Sequence, residues 1–170
     1  MGDDATALKR VRMDAGDTEL LRTINNAWCN AAGVVDPAAF NLSPADRKDF
    51  NRLSIARGDA TSPEQAYADR AACIKARCDA NGRKYKAPAG VLAVTVDEVE
   101  SAEIKSSEGG RAPLTVWDDS MNDSRSDYHG HIDFNEVPAD DRGSCLLAAK
   151  AMLAKAQARG WKFRPVEPPE

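Results

Sequence analysis

The stretch Tyr128–Phe134 contains both histidines of the chain and is the place where chemistry is most plausible. If this stretch forms a β-strand, its side chains alternate between the two faces of a sheet. One face then carries the polar side chains of His129, His131 and Asp133. The other carries the apolar ones, which are Tyr128, Ile132 and Phe134. The alternation predicts that one face packs into a core and leaves the other free for catalysis.

Histidine is suited to general acid–base catalysis, because it changes charge near neutral pH and a neighbouring carboxylate favours its charged form. This chemistry predicts a small hydrolase or transferase centred on His129, with His131 and Asp133 in support. Ser54 is a nucleophile by residue type, but the sequence around it is not that of a nucleophile elbow. Cys29 lacks the basic surroundings that would make a reactive thiolate.

The same residues could bind a divalent metal ion, since two histidines and a carboxylate are common zinc ligands. Alternate residues on a strand lie about 6.5–7 Å apart, so a single ion would need a bend or a bulge in the strand. Asp118 or Asp119 would then be additional ligands. The pattern His-x-His-x-Asp is similar to that of the metallo-β-lactamase-type hydrolases, but the further downstream histidines of those sites are missing. The sequence leaves the metal and any cofactor unknown.

A third interpretation makes the histidines structural, because polar groups on a half-buried strand are often satisfied by neighbouring carboxylates. The protein would then act through its surface. Residues 118 to 141 contain eight acids and a single base, Arg125. Four of these acids are the candidate binding residues: Asp118, Asp119, Asp123 and Asp127. Because complementary charge raises association rates and selects partners, this segment predicts an immunity-like, antitoxin-like or accessory protein that engages a basic protein.

The distribution of charge argues against nucleic acid as the partner. The net charge is −4, and the most basic segment, residues 70 to 86, has six bases and one acid. Nucleic-acid-binding proteins usually present a dominant basic face. A basic protein partner is therefore favoured over DNA or RNA.

The composition is that of a soluble globular domain, with 170 residues, 42% hydrophobic and 29% charged. No apolar run approaches the roughly 20 residues that span a bilayer, so we expect no membrane partner. The polar N-terminus does not resemble a signal peptide. We expect the four cysteines to be reduced, and the protein to be cytoplasmic.

The chain predicts one domain over residues 17–164, between a flexible N-terminus (1–16) and a flexible tail (165–170). Apolar patterning predicts four strands: Leu53–Ala56, Gly90–Val96, Leu114–Trp117 and His129–Phe134. We expect these strands to form a small mixed sheet with helices packed on it, an α+β fold.

Three longer helices are predicted. The first would begin at Asp17 and end at Gly33, because Leu21, Ile24, Trp28 and Ala31 follow helical spacing. The second begins at Ser62-Pro63-Glu64-Gln65, a capping sequence with proline in the first turn, and ends at Asn81-Gly82. The last runs from Gly143 to Gly160.

Several of these pieces together resemble a family of short bacterial proteins of unassigned function. The segments that carry the resemblance are Leu53–Ile55, Ser62–Tyr67, Gly90–Val96, His129–Phe134 and Arg159–Trp161. The resemblance covers residues 40–161 and implies a bacterial, cytosolic, single-domain protein. It implies no substrate and no catalytic residue.

Overall fold

The computed structural model describes residues 8–102, 104–105, 111–137 and 141–166. These residues form eight strands: β1 Val11–Arg12, β2 Glu19–Ile24, β3 Arg52–Arg57, β4 Gly90–Thr95, β5 Ile104–Lys105, β6 Arg111–Ala112, β7 Thr115–Asp118 and β8 His129–Asp133. They also form four α-helices: α1 Pro44–Lys48, α2 Pro63–Ala80, α3 Val96–Glu100 and α4 Arg142–Arg159. Two short 3-10 helices, Asn26–Trp28 and Pro37–Phe40, lie between β2 and α1.

Six strands form one sheet in the order β1-β7-β8-β3-β2-β4, and β5 pairs separately with β6. The predicted single α+β domain is confirmed, and the four predicted strands correspond to β3, β4, β7 and β8. The direction of the strands differs from the prediction. The sheet was expected to be mixed, but all of its strand pairs are antiparallel. Helix α2 does connect two strands that run in the same direction, β3 and β4. Those strands are not neighbours, because β2 lies between them.

The helix predicted from Asp17 to Gly33 is wrong, because this segment contains strand β2 and a short 3-10 helix instead. Leu20 and Leu21 are both buried although they face opposite sides of the sheet. A central strand that is covered on both faces loses the polar–apolar alternation typical of a half-exposed strand. The spacing of the apolar residues then matched a helix by coincidence.

The main hydrophobic core lies between the sheet and α4. Its largest fully buried side chains include Phe40, Leu53, Ile132, Phe134 and Met152. A smaller cluster lies on the opposite face, where α2 covers β2 and β4. Its members are Leu21, Ala66, Val91 and Ala93. Helix α2 therefore covers this face of the sheet over β2 and β4. It does not cover the part of the face formed by β3 and β8.

Both long helices begin close to their predicted starts. Ser62 caps α2 by accepting a hydrogen bond from the backbone N–H of Gln65. The Gln65 side chain does not complete a capping box, because it donates to Asp69 one turn later. Asp141 caps α4 in the same way through the N–H of Ser144.

The outer edge of β4 is covered by the segment that follows α4. The N–H of Val91 donates to the carbonyl of Phe163, and the N–H of Lys162 donates to the carbonyl of Val91. Arg159 continues this cover by donating to the carbonyl of Ala93. Gly90 permits the close approach, since a Cβ there would lie 2.5 Å from the Phe163 carbonyl oxygen.

Part of the N-terminal segment predicted to be flexible contributes to the sheet. Val11 and Arg12 form β1 and pair with Asp118 and Trp117 of β7, while residues 1–7 lie outside the described residues. In the predicted tail, residues 165–166 are described and have no regular structure. The four cysteines are free thiols. Each helix in the described ranges is too short or too polar to cross a membrane.

Candidate active site

Strand β8 presents its residues as the alternation predicted. His129, His131 and Asp133 lie on one face, while Ile132 and Phe134 pack into the core on the other. His131 and Asp133 are buried, and the side chain of His129 is 17% exposed. The three residues proposed as catalytic therefore share one face of the sheet. His129 is the more accessible of the two histidines.

Asp119, which directly follows β7, joins the two histidines. One of its carboxylate oxygens lies 2.5 Å from Nδ1 of His129, and the other lies 2.8 Å from Nδ1 of His131. Its side chain is fully buried. Because a carboxylate can only accept, both imidazoles place their Nδ1–H toward Asp119. A neutral imidazole then has Nε2 available as an acceptor.

The Nε2 atom of His129 faces Ser54, whose Oγ lies 3.3 Å away. The serine hydroxyl donates to that nitrogen in the tautomer that Asp119 selects. Ser54, His129 and Asp119 therefore form a continuous hydrogen-bonded chain. This is the arrangement of a nucleophile, a general base and the carboxylate that orients the base.

The register of β3 against β8 explains why Ser54 reaches this position. Ser54 pairs with His131, and Ala56 pairs with His129. The backbone bonds from Arg57 N–H to the Tyr128 carbonyl, and from Phe134 N–H to the Asn51 carbonyl, follow this register. They make Ser54 and His131 a non-hydrogen-bonded pair, the kind whose side chains approach most closely.

Two neighbouring residues fix the local geometry. A Cβ on Gly130 would lie 2.8 Å from Cδ1 of Ile55 and 2.9 Å from the Trp117 carbonyl, so the strand between the histidines has no room for a side chain. On the other side of Ser54, the pairing of β2 with β3 ends at Leu21 and Ala56. Beyond that pair, the Arg22 side chain replaces the backbone pairing, and its Nη1 donates to the Ser54 carbonyl at 2.8 Å. Burial lowers the pKa of Arg22 to about 10.

The polar network also includes Arg10, which lies in the segment before β1. Its Nη1 lies 3.1 Å from Nε2 of His131 and 2.6 Å from Oδ2 of Asp133. Its guanidinium stacks on Trp117, with Cζ 3.9 Å from the ring centroid. Since Arg10 can only donate, it requires the acceptor form of His131 Nε2, which agrees with the tautomer set by Asp119.

The two carboxylates of the network are held in their charged forms. Burial by itself raises the pKa of Asp119, but the hydrogen bonds from His129 and His131 outweigh it, so that this pKa lies well below its usual range. Burial likewise acts to raise the pKa of Asp133. The bonds from Arg10 and from the backbone N–H of Asn135 outweigh burial and lower it.

The four acids predicted to form a binding surface are placed differently from one another. Asp123 and Asp127 are exposed in the loop between β7 and β8. Asp118 is partly exposed and lies 3.3 Å from Nη1 of Arg57. The surface needs a correction at Asp119, because this side chain is buried against the histidines and cannot reach a partner. Whether the other three bind a partner stays a prediction.

The geometry does not favour the metal interpretation. Among the described residues, no group of three or more His, Cys, Asp and Glu side chains is arranged to hold an ion. Both nitrogens of His131 are already occupied, one by Asp119 and the other by Arg10. Asp133, the expected third ligand, binds Arg10 instead.

Three members of this site lie outside the predicted catalytic set. Ser54 has no nucleophile elbow around it, Asp119 is predicted as a surface acid or an additional metal ligand, and Arg10 lies in the segment predicted to be flexible. The available signal for Ser54 was its place between Leu53 and Ile55, which alternation puts on the polar face of β3. No sequence signal connects Arg10 to His131, which lies 121 residues later in the chain.

Comparison with protein-family models, curated proteins and solved structures gives no match to this chain. The expected kinship with short bacterial proteins therefore stays a prediction.

Proposed function

We propose that the protein is a small hydrolase that uses Ser54 as its nucleophile and His129 as its general base. One observation carries this proposal: both ring nitrogens of His129 are engaged, one by a buried carboxylate and the other by a serine hydroxyl. The group on Nε2 is a hydroxyl, which becomes a nucleophile when the imidazole removes its proton. The substrates are acyl compounds, such as esters or amides.

The chemistry follows the steps of acyl transfer. The Ser54 oxygen forms a bond to the substrate carbonyl carbon while its proton moves to Nε2 of His129. The protonated imidazole then gives this proton to the leaving group as the bond between that group and the carbonyl carbon breaks. Water repeats the sequence with the acyl-serine, releases the acid and restores the hydroxyl.

The remaining polar residues support His129. Asp119 orients the imidazole and stabilises its positive charge after proton transfer. His131, bound to the second oxygen of Asp119, keeps that carboxylate in place. Asp133 acts one step further away, because it holds the Arg10 that donates to His131. Arg10 also brings positive charge to the face on which negative charge develops at the substrate oxygen.

An activity-based probe tests this proposal directly. A fluorophosphonate reacts covalently with activated serines, and peptide mass spectrometry locates the adduct. We expect the adduct at Ser54, with labelling abolished by Ser54→Ala and by His129→Gln. Hydrolysis of 4-nitrophenyl valerate should fall on the order of a hundredfold or more in both variants, the usual scale for a lost acid–base group.

Ser124→Ala is the matched control, since this serine is exposed in the loop between β7 and β8. It should leave labelling and hydrolysis unchanged. An adduct at another residue, or labelling and hydrolysis that persist in Ser54→Ala, would contradict the proposal.

A second candidate function is the accessory role of a cytosolic, bacterial, immunity-like or antitoxin-like protein. The exposure of Asp123 and Asp127 favours it, because two neighbouring acids on one loop can meet a basic partner. This role does not use Ser54. Capture of a partner that survives Ser54→Ala but is lost when the two loop acids are reversed would distinguish it from the hydrolase.

A further inference from the structure

Arg52 differs from the other arginines around the site. It lies two residues before Ser54 on the same face of β3, about 6.5–7 Å along the strand. In the part of the chain that the structure describes, Arg52 forms no salt bridge, and its buried Nε–H has no acceptor. Arg57 and Arg125 also have an unbonded Nε, but their guanidiniums pair with aspartates.

The carboxylate closest in register to Arg52 is already occupied. Asp133 is the cross-strand partner of Arg52, but its two oxygens accept from Arg10 at 2.6 Å and from the backbone N–H of Asn135 at 2.7 Å. The positive charge of Arg52 is thus left without a matching side chain beside the proposed nucleophile.

The turn before β3 holds an aromatic ring against this guanidinium. The Cζ of Arg52 lies 5.2 Å from the centroid of the Phe50 ring, and Phe50 is 68% exposed. Phe50 and Asn51 both have positive φ, at 56° and 57°. For a bulky residue this backbone conformation is uncommon and persists only where the surroundings enforce it, often at ligand sites. Asn135 supplies that restraint by donating to the Phe50 carbonyl at 2.9 Å.

We propose that Arg52 binds an anionic group of the substrate, a carboxylate or a phosphate, while Ser54 attacks the acyl carbon. The guanidinium offers planar, paired donors that match both anions. An anion bound to its Nη atoms would balance a charge that no salt bridge among the described residues neutralises. The strand geometry places the anion a few bonds from the reacting carbonyl. This inference rests on the proposed hydrolase, whose substrate class it narrows.

Two esters of equal length test it: 4-nitrophenyl hydrogen glutarate, which ends in a carboxylate, and 4-nitrophenyl valerate, which ends in a methyl group. We expect the native protein to have a kcat/KM for the anionic ester on the order of tenfold higher or more. Arg52→Gln should remove this preference and leave hydrolysis of the neutral ester unchanged. Arg52→Lys should keep part of it, because lysine retains the charge without the planar fork. Arg83→Gln, at an exposed position after α2, is the control and should change neither rate.

Hydrolysis of both esters without a preference, or a preference that survives Arg52→Gln, would overturn the assignment of Arg52 and leave the hydrolase intact. If neither ester is cleaved, the proposed function fails, and the binding of glutarate then tests whether Arg52 holds an anion. Glutarate should then raise the melting temperature of Ser54→Ala but not of the double variant Ser54→Ala/Arg52→Gln, since a ligand bound only to the folded state stabilises it. Equal shifts, or none, would overturn the inference.

Discussion

The two faces of the six-stranded sheet differ in the types of residue that they carry. The face under α4 is mainly apolar and includes Leu53, Ile132 and Phe134. The opposite face is apolar only under α2. At β3 and β8 it carries instead the hydrogen-bonded network of Ser54, His129 and their partners. Residues adjacent along one strand therefore pack into the core on one side and form a polar network on the other.

This difference shows how a small domain can contain a buried polar network without losing its core. The α4 face supplies most of the apolar burial, so the other face can tolerate Asp119, His131 and Asp133 in buried positions. Each of these groups has hydrogen-bond partners, which avoids the cost of an unpaired buried polar atom. Stability and chemistry should consequently respond to substitutions on different faces.

The largest expected effect on stability comes from the apolar face. Phe134→Ala should lower the free energy of unfolding by about 3–5 kcal/mol, because it removes a fully buried ring and leaves a cavity. Urea unfolding followed by circular dichroism measures the change. Ser54→Ala, on the opposite face of the sheet, is the comparison and should cost far less. Equal losses at the two positions would show that the faces do not differ as described.

Asp119→Asn should produce a smaller loss that depends on pH. The lowered pKa of Asp119 means that the unfolded chain binds a proton more readily, so this carboxylate stabilises the fold above its usual pKa of about 4. That contribution is lost as the pH falls toward the folded-state value. We expect the variant to be about 1–3 kcal/mol less stable at neutral pH, with the difference shrinking below about pH 4.

Urea unfolding of both proteins across this pH range is the measurement. Asp133 keeps a residual slope of the same sign in the variant, since its pKa is also lowered. Asp123→Asn is the matched control and should follow the native curve. A deficit that stays constant down to pH 2 would contradict an ionised Asp119.

The smallest effect is expected at the exposed acids. Reversing Asp123 and Asp127 together to lysine should change the free energy of unfolding by less than about 0.5 kcal/mol, because both side chains are exposed. The same variant tests the accessory role, for which lost capture of a basic partner would be the supporting result. A large loss of stability would show that these residues belong to the folded network.

The sequence predicted some of this architecture and missed the rest for identifiable reasons. Alternation placed the two histidines on a common face, and capping residues located α2, because both signals are local. Strand β2 was missed because burial on both sides removed the pattern that identifies a strand. The partnership of Ser54 with His129 depends on the register of two strands 75 residues apart, which no local pattern encodes.

The sequence predicts only those residues of the site that lie on strand β8. His131 and Asp133 were expected to act beside His129. Their contacts in the structure are with Arg10 and Asp119, which come from an N-terminal segment and from the end of another strand. The sequence predicts Asp119 as one member of a charged run, because its type and neighbours resemble those of Asp118 and Asp123. Burial, which distinguishes it, is a property of the folded chain.

The cover on β4 has a consequence for self-association. Strand β4 reads Gly-Val-Leu-Ala-Val-Thr, and an uncovered edge of this composition would template the addition of strands from other molecules. The backbone bonds of Lys162 and Phe163, together with the Arg159 side chain, occupy that edge. At the other edge, β1 is only two residues long. The segment after α4 thus protects the protein from edge-to-edge aggregation, and its release would convert the most apolar strand of the sheet into a site of polymerisation.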